Sequence, residues 1–520
     1  MNGFEPHATY APIIRTSDHE EESFGDALYD WMGRAPFLAI AMAVHLLAFF
    51  LLAAIPWQAG RSDEPAVFTA EIVPPPADPF EEPVEPPPQI EKPIIDQTEV
   101  VIVDVPITDT DDDSDDDTEI DSPQSPFTND KWNEAIGLGG GAACGGGSRG
   151  EAGGTPPGTN TRNERAVMSG LEWLKDHQAP DGRWDCDGFM HDTAREGPVC
   201  DGAGDAAHDV GVTGLALLAF MGIGDTLRSG TYMEQIRTGV AYLLDEQDLE
   251  SGRIGAGVGH AFLYDHAIAT LALCEALHGD PNHPLLTRRA QKAVNYISAA
   301  RNPYGAWRYA VPPNGQQDTS VTGWMVFALA AARDVGLEVA DSDFMGALAW
   351  IDEVTDPANG RTGYETMGGL SARPEHLSDA YPAEVSEAMT AVAMLSRLFI
   401  DKSLGRRDAD VDLLEKGASL LLETLPEWSA DGSTCDMYAW YYGSYAMFQY
   451  AELDPRAWTA WQKAMERAIV PNQRTEPVTF DGSWDPIGPW GESGGRVYST
   501  ATMVLSLEVF YRYGKLLGSR

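Results

Sequence analysis

Five residues of acid–base type stand at or near the starts of apolar stretches: Asp209, Asp265, His266, Asp318 and Glu387. Aromatic residues accompany them along the same stretches, notably Trp324, Trp440, Tyr441, Tyr442 and Tyr498. A carboxyl held away from water can hand a proton to a weakly basic group such as an alkene. An aromatic face can stabilise the cation that results, through its quadrupole. Asp209, Asp265, His266, Asp318 and Glu387 are therefore the candidate catalytic residues, and the five aromatics the candidate ligand-binding residues. The same residue types also cap helices, because Asp and Ser at a helix start accept hydrogen bonds from its free amides. Both roles stay open for each acid. Taken as a ring, with Glu384 included, the set is expected to surround a pocket for a hydrophobic small molecule.

Other reactive groups give less. Cys186, Asp187, His191, Cys200, Asp201, His208 and Asp209 are zinc-type ligands in one stretch, but their spacing fits no common site. Neither a metal nor a cofactor is expected. Five cysteines do not make a disulfide framework in 520 residues. Cys186 and Cys200 can pair if their loop faces an oxidising compartment; Cys274 lies in an apolar helical pattern and Cys144 among glycines. The net charge of −45 argues against nucleic acid, whose phosphates call for clustered Lys and Arg.

The elements that must position these residues recur six times beyond residue 160. Each unit has an amphipathic helix, a Gly-rich loop and a second, more apolar helix. The first helices are expected at 164–178, 232–247, 287–301, 343–354, 411–425 and 456–470, with apolar residues at three- and four-residue spacing. The second are expected at 209–220, 266–277, 318–332, 386–399, 440–450 and 498–511, apolar on all faces and hence buried. Within them Thr213, Thr270, Thr322, Thr390, Ser444 and Thr502 each follow a lead residue by four: Asp209, His266, Asp318, Ser386, Trp440 and Tyr498. The loops share a signature, clearest in Gln178-Ala-Pro-Asp181-Gly182-Arg183-Trp184 and repeated around Tyr304–Trp307, Gly360–Tyr364 and Asp481–Trp484. Glycine permits the turn at positive φ, the aromatic packs on the helix ends, and Gln can reach free helix amides. Amphipathic and apolar helices alternating six times, with no polar capping repeat, predict an all-α fold, an (α/α)6 toroid, over residues 161–520.

These loops and hairpins resemble the QW repeats of the prenyltransferase and squalene-oxidase repeat superfamily, the terpenoid-cyclase-like toroids. The resemblance covers all six units and is nearest to membrane-anchored members without an assigned activity, through blocks such as DVGVTGLALLAF, DTSVTGW, WYYGSYAMFQY and GGRVYSTAT. It implies a concave cavity for an isoprenoid or lipid-like ligand. Departures are plain: no inner helix carries the Asp-x-Asp-Asp acid motif of squalene cyclases, and Asp109–Asp112, which matches it, sits in an acidic run outside the repeats. Cys435-Asp436 lacks the zinc-ligand pattern of protein prenyltransferases. A cyclase-like binding protein, an envelope binding or scaffold protein, and a carbohydrate-active (α/α)6 enzyme all remain in play.

The first 160 residues read differently. Residues 1–35 are expected as a cytoplasmic tail. Residues 36–57 hold no charge and are long enough for a transmembrane helix across about 30 Å of hydrocarbon. His45 lies mid-span; with the Pro-rich stretch that follows, it resembles the anchor of TonB-type proteins, although Ala41 stands where their second polar residue would be. Residues 58–160 form a Pro-rich, acidic and Gly-rich disordered tether: residues 61–130 hold 21 Asp or Glu against Arg61 and Lys92. The expected topology is single-pass, with the C-terminal domain outside the cytoplasm and periplasmic in a double envelope. Partners are then the membrane, through 36–57, and a hydrophobic small molecule or an envelope protein.

Overall fold

The computed structural model describes residues 162–509, apart from 194, 258, 260–261, 304 and 407–409. The described residues all belong to one compact unit of the chain. The expected tail, membrane span and tether lie outside the described residues, as does Cys144. No described helix is long and apolar enough to cross a membrane.

Twelve α-helices make up the described part. The first three repeats supply α1 (Arg162–Asp176), α2 (Asp209–Gly222), α3 (Met233–Asp245), α4 (Phe262–Gly279), α5 (Pro284–Ala300) and α6 (Thr319–Asp334). The last three supply α7 (Asp341–Val354), α8 (Ala388–Ser403), α9 (Val411–Glu423), α10 (Met437–Tyr450), α11 (Pro455–Ile469) and α12 (Gly491–Leu507). Strands are absent among the described residues; only isolated bridges occur, in the repeat loops.

The even-numbered helices form the inner layer. α2 packs on α4, α4 on α6, α6 on α8, α8 on α10, α10 on α12, and α12 returns to α2, so the ring is closed. Odd-numbered helices lie outside, with α3, α5, α7 and α9 each bridging two inner neighbours. Burial follows the sequence pattern. α1 buries the stripe Ala166, Val167, Gly170, Leu171, Trp173 and Leu174, whereas α2 buries every residue from Val210 to Gly222. Small residues let the inner helices approach: a Cβ at Gly211 would lie 2.2 Å from Asp265 Oδ1, and one at Gly323 2.3 Å from a Val392 methyl.

One loop chemistry holds the layers in register. The indole N–H of Trp184, Trp307 and Trp484 donates to Leu174, Ile297 and Ile469, one carbonyl at the C-terminal end of each preceding outer helix (2.7, 2.8 and 2.8 Å). This satisfies a group the helix end leaves open. The glutamines act otherwise than expected. Gln178, Gln247 and Gln473 donate to carbonyls, each to its own loop glycine and to the next outer helix, at Gln235, Arg289 and Ala166. No helix amide is their partner. Gly182 and Gly482, at φ 96° and 94°, lie so near the next outer helix that a Cβ would stand 2.2 Å from Thr238 O and 2.1 Å from Ser169 O. Only glycine suits both the positive φ and the close approach.

The Gln473–Ala166 bond joins the last loop to the first helix and closes the outer layer. The long loop 177–208 seals the same seam. The Arg496 amide donates to Gly202 O (2.7 Å), and Asp205 N donates to Ser493 O (2.8 Å). The buried Arg496 guanidinium meets Asp201 and Asp485 and lies over the Phe480 ring.

The expected register needs correction in three repeats. Thr213, Thr322 and Thr390 accept from the loop amides of Trp184, Trp307 and Thr362. In the second repeat His266 Nδ1 fills that role, accepting from Ile254 N at 3.1 Å. In the fifth, Asp436 caps its helix through Ala439 N as Asp318 does through Val321 N, so the lead is Asp436 and not Trp440. In the sixth, Thr500 replaces Thr502. A shift of one helical turn keeps residues on one face, so periodicity could not separate the alternatives in the second and fifth repeats. In the sixth, Gly495 at φ 63° breaks the helix and resets the count.

Candidate functional site

The connections from outer to inner helices (177–208, 246–261, 301–318, 355–387, 424–436, 470–490) are longer than the returns, and they gather at one end of the toroid. The inner helices present their N-termini there. Most of the acids at these starts are already matched. Asp209 Oδ1 accepts from Cys186 N at 2.8 Å, and Oδ2 lies 3.1 Å from Arg183. Glu387 receives Arg361 Nε at 2.9 Å and the Thr390 hydroxyl at 2.8 Å. Asp436 pairs with Arg373 at 2.7 Å, both nearly inaccessible, and also accepts from Ser386. Each acid fastens a loop to an inner helix. Burial pushes the Asp209 carboxyl up to about 6, against its hydrogen bond from Cys186.

Asp265 is buried and faces His208, whose Nδ1 lies 3.1 Å from both carboxylate oxygens. That hydrogen bond raises the His208 pKa, while burial raises that of Asp265. His266 does not face the axis. Its Nε2–H donates to Ala293 O on α5 and its ring meets Tyr296 edge-on. With Nδ1 accepting from Ile254, both nitrogens are used and the ring is neutral. Burial lowers its pKa to about 4, as a structural histidine requires.

Asp318 differs from all of these. It is fully buried. Oδ1 accepts from Val321 N at 2.8 Å, while Oδ2 lies 3.9 Å from Arg308 Nε and the Tyr364 hydroxyl stands beside the carboxyl. Burial pushes this carboxyl up to about 7, opposed by the Val321 amide, by Arg308 and by a hydrogen bond from Tyr364. A buried carboxylate so weakly compensated takes up a proton near neutrality. Around it stand Tyr264 from α4, Tyr309 and Tyr364 from two loops, and Tyr438 from α10. The Tyr309 and Tyr364 hydroxyls are hydrogen-bonded to each other, and Arg308 lies over both rings while pairing with Glu365. Burial raises the pKa of Tyr264, Tyr309, Tyr364 and Tyr438, so all four stay neutral.

These side chains gather inside the ring, where Tyr264, Tyr438 and Tyr498 are half-buried. The floor is aromatic. Tyr438 OH lies 2.9 Å from Ser320 Oγ, and a turn deeper Trp324 stacks on Tyr441 (6.1 Å) and meets Tyr442 edge-on (5.4 Å). α6 and α10 are not neighbours in the ring, so these contacts cross its interior. Phe327 continues the plug against Tyr442, Phe399 and Tyr445.

Of the expected aromatics, Trp324, Tyr441 and Tyr442 thus form the floor, and Tyr498 lies near Tyr438 and Asp436. Trp440 turns the other way, against Trp428 of the loop after α9. The sequence marks none of Tyr264, Tyr309, Tyr438 and Arg308, and marks Tyr364 only as a loop aromatic packing on helix ends. Tyr438 precedes Tyr442 by one turn on the same face, and that signal was available. Tyr309 and Tyr364 sit on loops, where no periodicity announces a direction.

Cys186 and Cys200 are free thiols and do not pair. Cys186 contacts the carbonyls of Ser493 and Gly494, and Cys200 that of Thr479. Asp185, Asp187 and Asp209 bring carboxylate oxygens within 4.8 Å of one another. Arg183 lies 3.0 Å from Asp185 and 3.1 Å from Asp209, so a guanidinium already supplies the positive charge there.

No protein-family model matches the chain, and no curated protein matches it. Among solved structures, the apo type II terpene cyclase MstE from Scytonema is similar, at 14% identity over 67% of this chain and 98% of that one, with a TM-score of 0.44. A variant of the same cyclase in complex with geranylgeranyl dihydroxybenzoate gives 14%, 67%, 97% and 0.42. A possible GH105-family member from Salmonella enterica gives 13%, 69%, 96% and 0.39. The toroid of this chain rests on its own closed helix packing, beside which these likenesses stand as resemblances of fold.

Proposed function

We propose that the toroid binds an isoprenoid-like or other hydrophobic ligand in the hollow at the inner-helix N-termini, with Asp318 as the proton donor. One observation carries this reading: Asp318 is a fully buried carboxyl whose nearest cation, Arg308, stands 3.9 Å away and pairs with Glu365, among neutral tyrosines. Such a group is protonated near neutrality, where its acidity suits general-acid work. The tyrosine faces offer π-electron density to a positive centre formed by protonation. The floor of Trp324, Tyr441 and Tyr442 excludes water from below.

The scaffold alternative is less favoured, because a purely capping Asp has no use for a carboxyl that takes up its proton near neutrality. A glycosidase needs two carboxyls facing each other across about 5–10 Å. Here Asp209, Asp265, Glu387 and Asp436 are held by Arg183, His208, Arg361 and Arg373, which leaves Asp318 without a counterpart among them. From the sequence, we place the domain outside the cytoplasm, tethered by residues 36–57.

The test is solvent extraction of the purified chain followed by mass spectrometry. Wild type should yield a recurrent prenyl or polyene species, retained by Asp318→Asn and depleted when Tyr438 and Tyr498 are both changed to Ala. Repeated recovery of nothing hydrophobic overturns the reading.

A further inference from the structure

The connection between α7 and α8 is drawn together at a single atom. Asp436 Oδ2 accepts from Arg373 Nη2 at 2.7 Å and from Ser386 Oγ at 2.8 Å. The other oxygen, Oδ1, caps α10 through Ala439 N. Residues 374–385 are thereby pinched off as a surface loop whose ends adjoin, the form of an Ω-loop. The pinch is firm. Arg373 and Asp436 are both nearly inaccessible, and parting a buried ion pair is costly.

Beyond the pinch the loop is built to move as one body. Pro374 and Pro382 each precede a single 3-10 turn, Glu375–Leu377 and Ala383–Val385, and their rings fix φ. Leu377 O accepts from Ala380 N and Tyr381 N, and Tyr381 O accepts from Arg373 Nε at 3.1 Å. None of residues 374–385 is buried, so no apolar anchor holds the loop down. Its tip reaches two inner helices around the ring: His376 Nε2 lies 2.8 Å from Glu492 Oε2, in the first turn of α12. This pair is 66% and 67% exposed, and an ion pair so open to water holds weakly. A firm hinge and a weak latch place the loop at the low-stability end of the fold, from which moving elements are drawn.

The hinge and the latch bracket two aromatic residues of the ring interior. Tyr438 on α10 and Tyr498 on α12 are half-buried, and both stand near the Asp436 carboxylate. We propose that residues 374–385 are a lid, hinged at Asp436 and latched by His376 on Glu492, whose opening exposes the ring interior at Tyr438 and Tyr498. The lid adds a gate to the ligand reading without depending on it, since access can be measured with no ligand present.

The experiment uses the full chain in mild detergent, carrying Cys144→Ser and Tyr498→Cys; the four other cysteines are buried. The rate at which a small uncharged maleimide labels position 498 is read by peptide mass spectrometry. Glu492→Ala and His376→Ala should each raise that rate about twofold to fivefold, the range to which an exposed ion pair converts. The two together should raise it no further than either alone, because both remove one contact. Replacing residues 375–384 by a short Gly-Ser linker, with Arg373, Ser386 and Asp436 kept, should raise the rate beyond any latch variant. An unchanged rate in the shortened chain overturns the lid. An effect of Glu492→Ala with none of His376→Ala overturns the latch, since Glu492 then acts through its own helix. Should Tyr498→Cys fail to fold, hydrogen exchange on the otherwise unaltered chain decides. Glu492→Ala should speed exchange of amides 375–381 and leave 363–369 as they are; equal change in both, or in neither, overturns the proposal.

Discussion

Two acids near the starts of inner helices went to different ends. Glu387, just ahead of α8, is locked by Arg361 and Thr390 into fastening its loop. Asp318, at the start of α6, gives one oxygen to its own helix cap and has no arginine in hydrogen-bond reach of the other. The difference lies in the loop before each helix. In the fourth repeat the residue after the positive-φ Gly360 is Arg361, which reaches the acid directly. In the third repeat the corresponding place is Ala306, and Arg308 arrives too far along to bond Asp318. A carboxyl becomes chemically useful here when its neighbour fails to satisfy it.

The sharpest way to break this contrast is to remove each acidity in turn. Asp318→Asn keeps a capping side chain and should lower any conversion of a bound prenyl ligand by roughly 10²–10⁴-fold, the usual contribution of a positioned acid. Glu387→Gln should leave turnover close to wild type and show its effect in stability instead. Rates measured on both variants that fall equally would end the distinction.

Stability should rank the other way. Asp436→Ala leaves Arg373 buried without its partner, and chemical denaturation should show a loss of about 3–5 kcal/mol. Asp318→Asn should gain stability with rising pH. The carboxyl is near 7 in the folded chain against an ordinary 3.8, so the fold favours its protonated form. That stabilisation is full below about pH 4 and is lost as pH rises through about 7. Asn has no proton to lose, so thermal melts of variant and wild type should diverge in the variant's favour across that window, by a few kcal/mol at most. A constant difference from pH 4 to 8 would mean that Asp318 ionises normally. The smallest effect belongs to the seam: Gln473→Leu removes bonds to Gly482 and Ala166 and should cost about 1–2 kcal/mol.

Much of the architecture is legible in the sequence. The apolar stripe of α1 and the wholly apolar α2 told outer from inner helix, and Gly182 and Gly482 announced turns at positive φ. The site was legible only in part. Asp318 stood out by type and place, yet so did Asp209, Asp265, His266 and Glu387, which the structure has bonded to neighbours. His266 shows why: at helical spacing it reads like a lead residue, while its ring turns outward to Ala293 and Tyr296.

The sequence by itself determined the repeat, the two layers and the supply of acids and aromatics, because burial period and turn chemistry are local properties. Only the tertiary structure decided that the ring closes through α12 on α2, which acids are already spent, and that Tyr438 rather than Trp440 faces the ring interior. Those outcomes depend on groups far apart in the chain meeting at about 3–4 Å, a distance at which hydrogen bonds and ion pairs are made or missed.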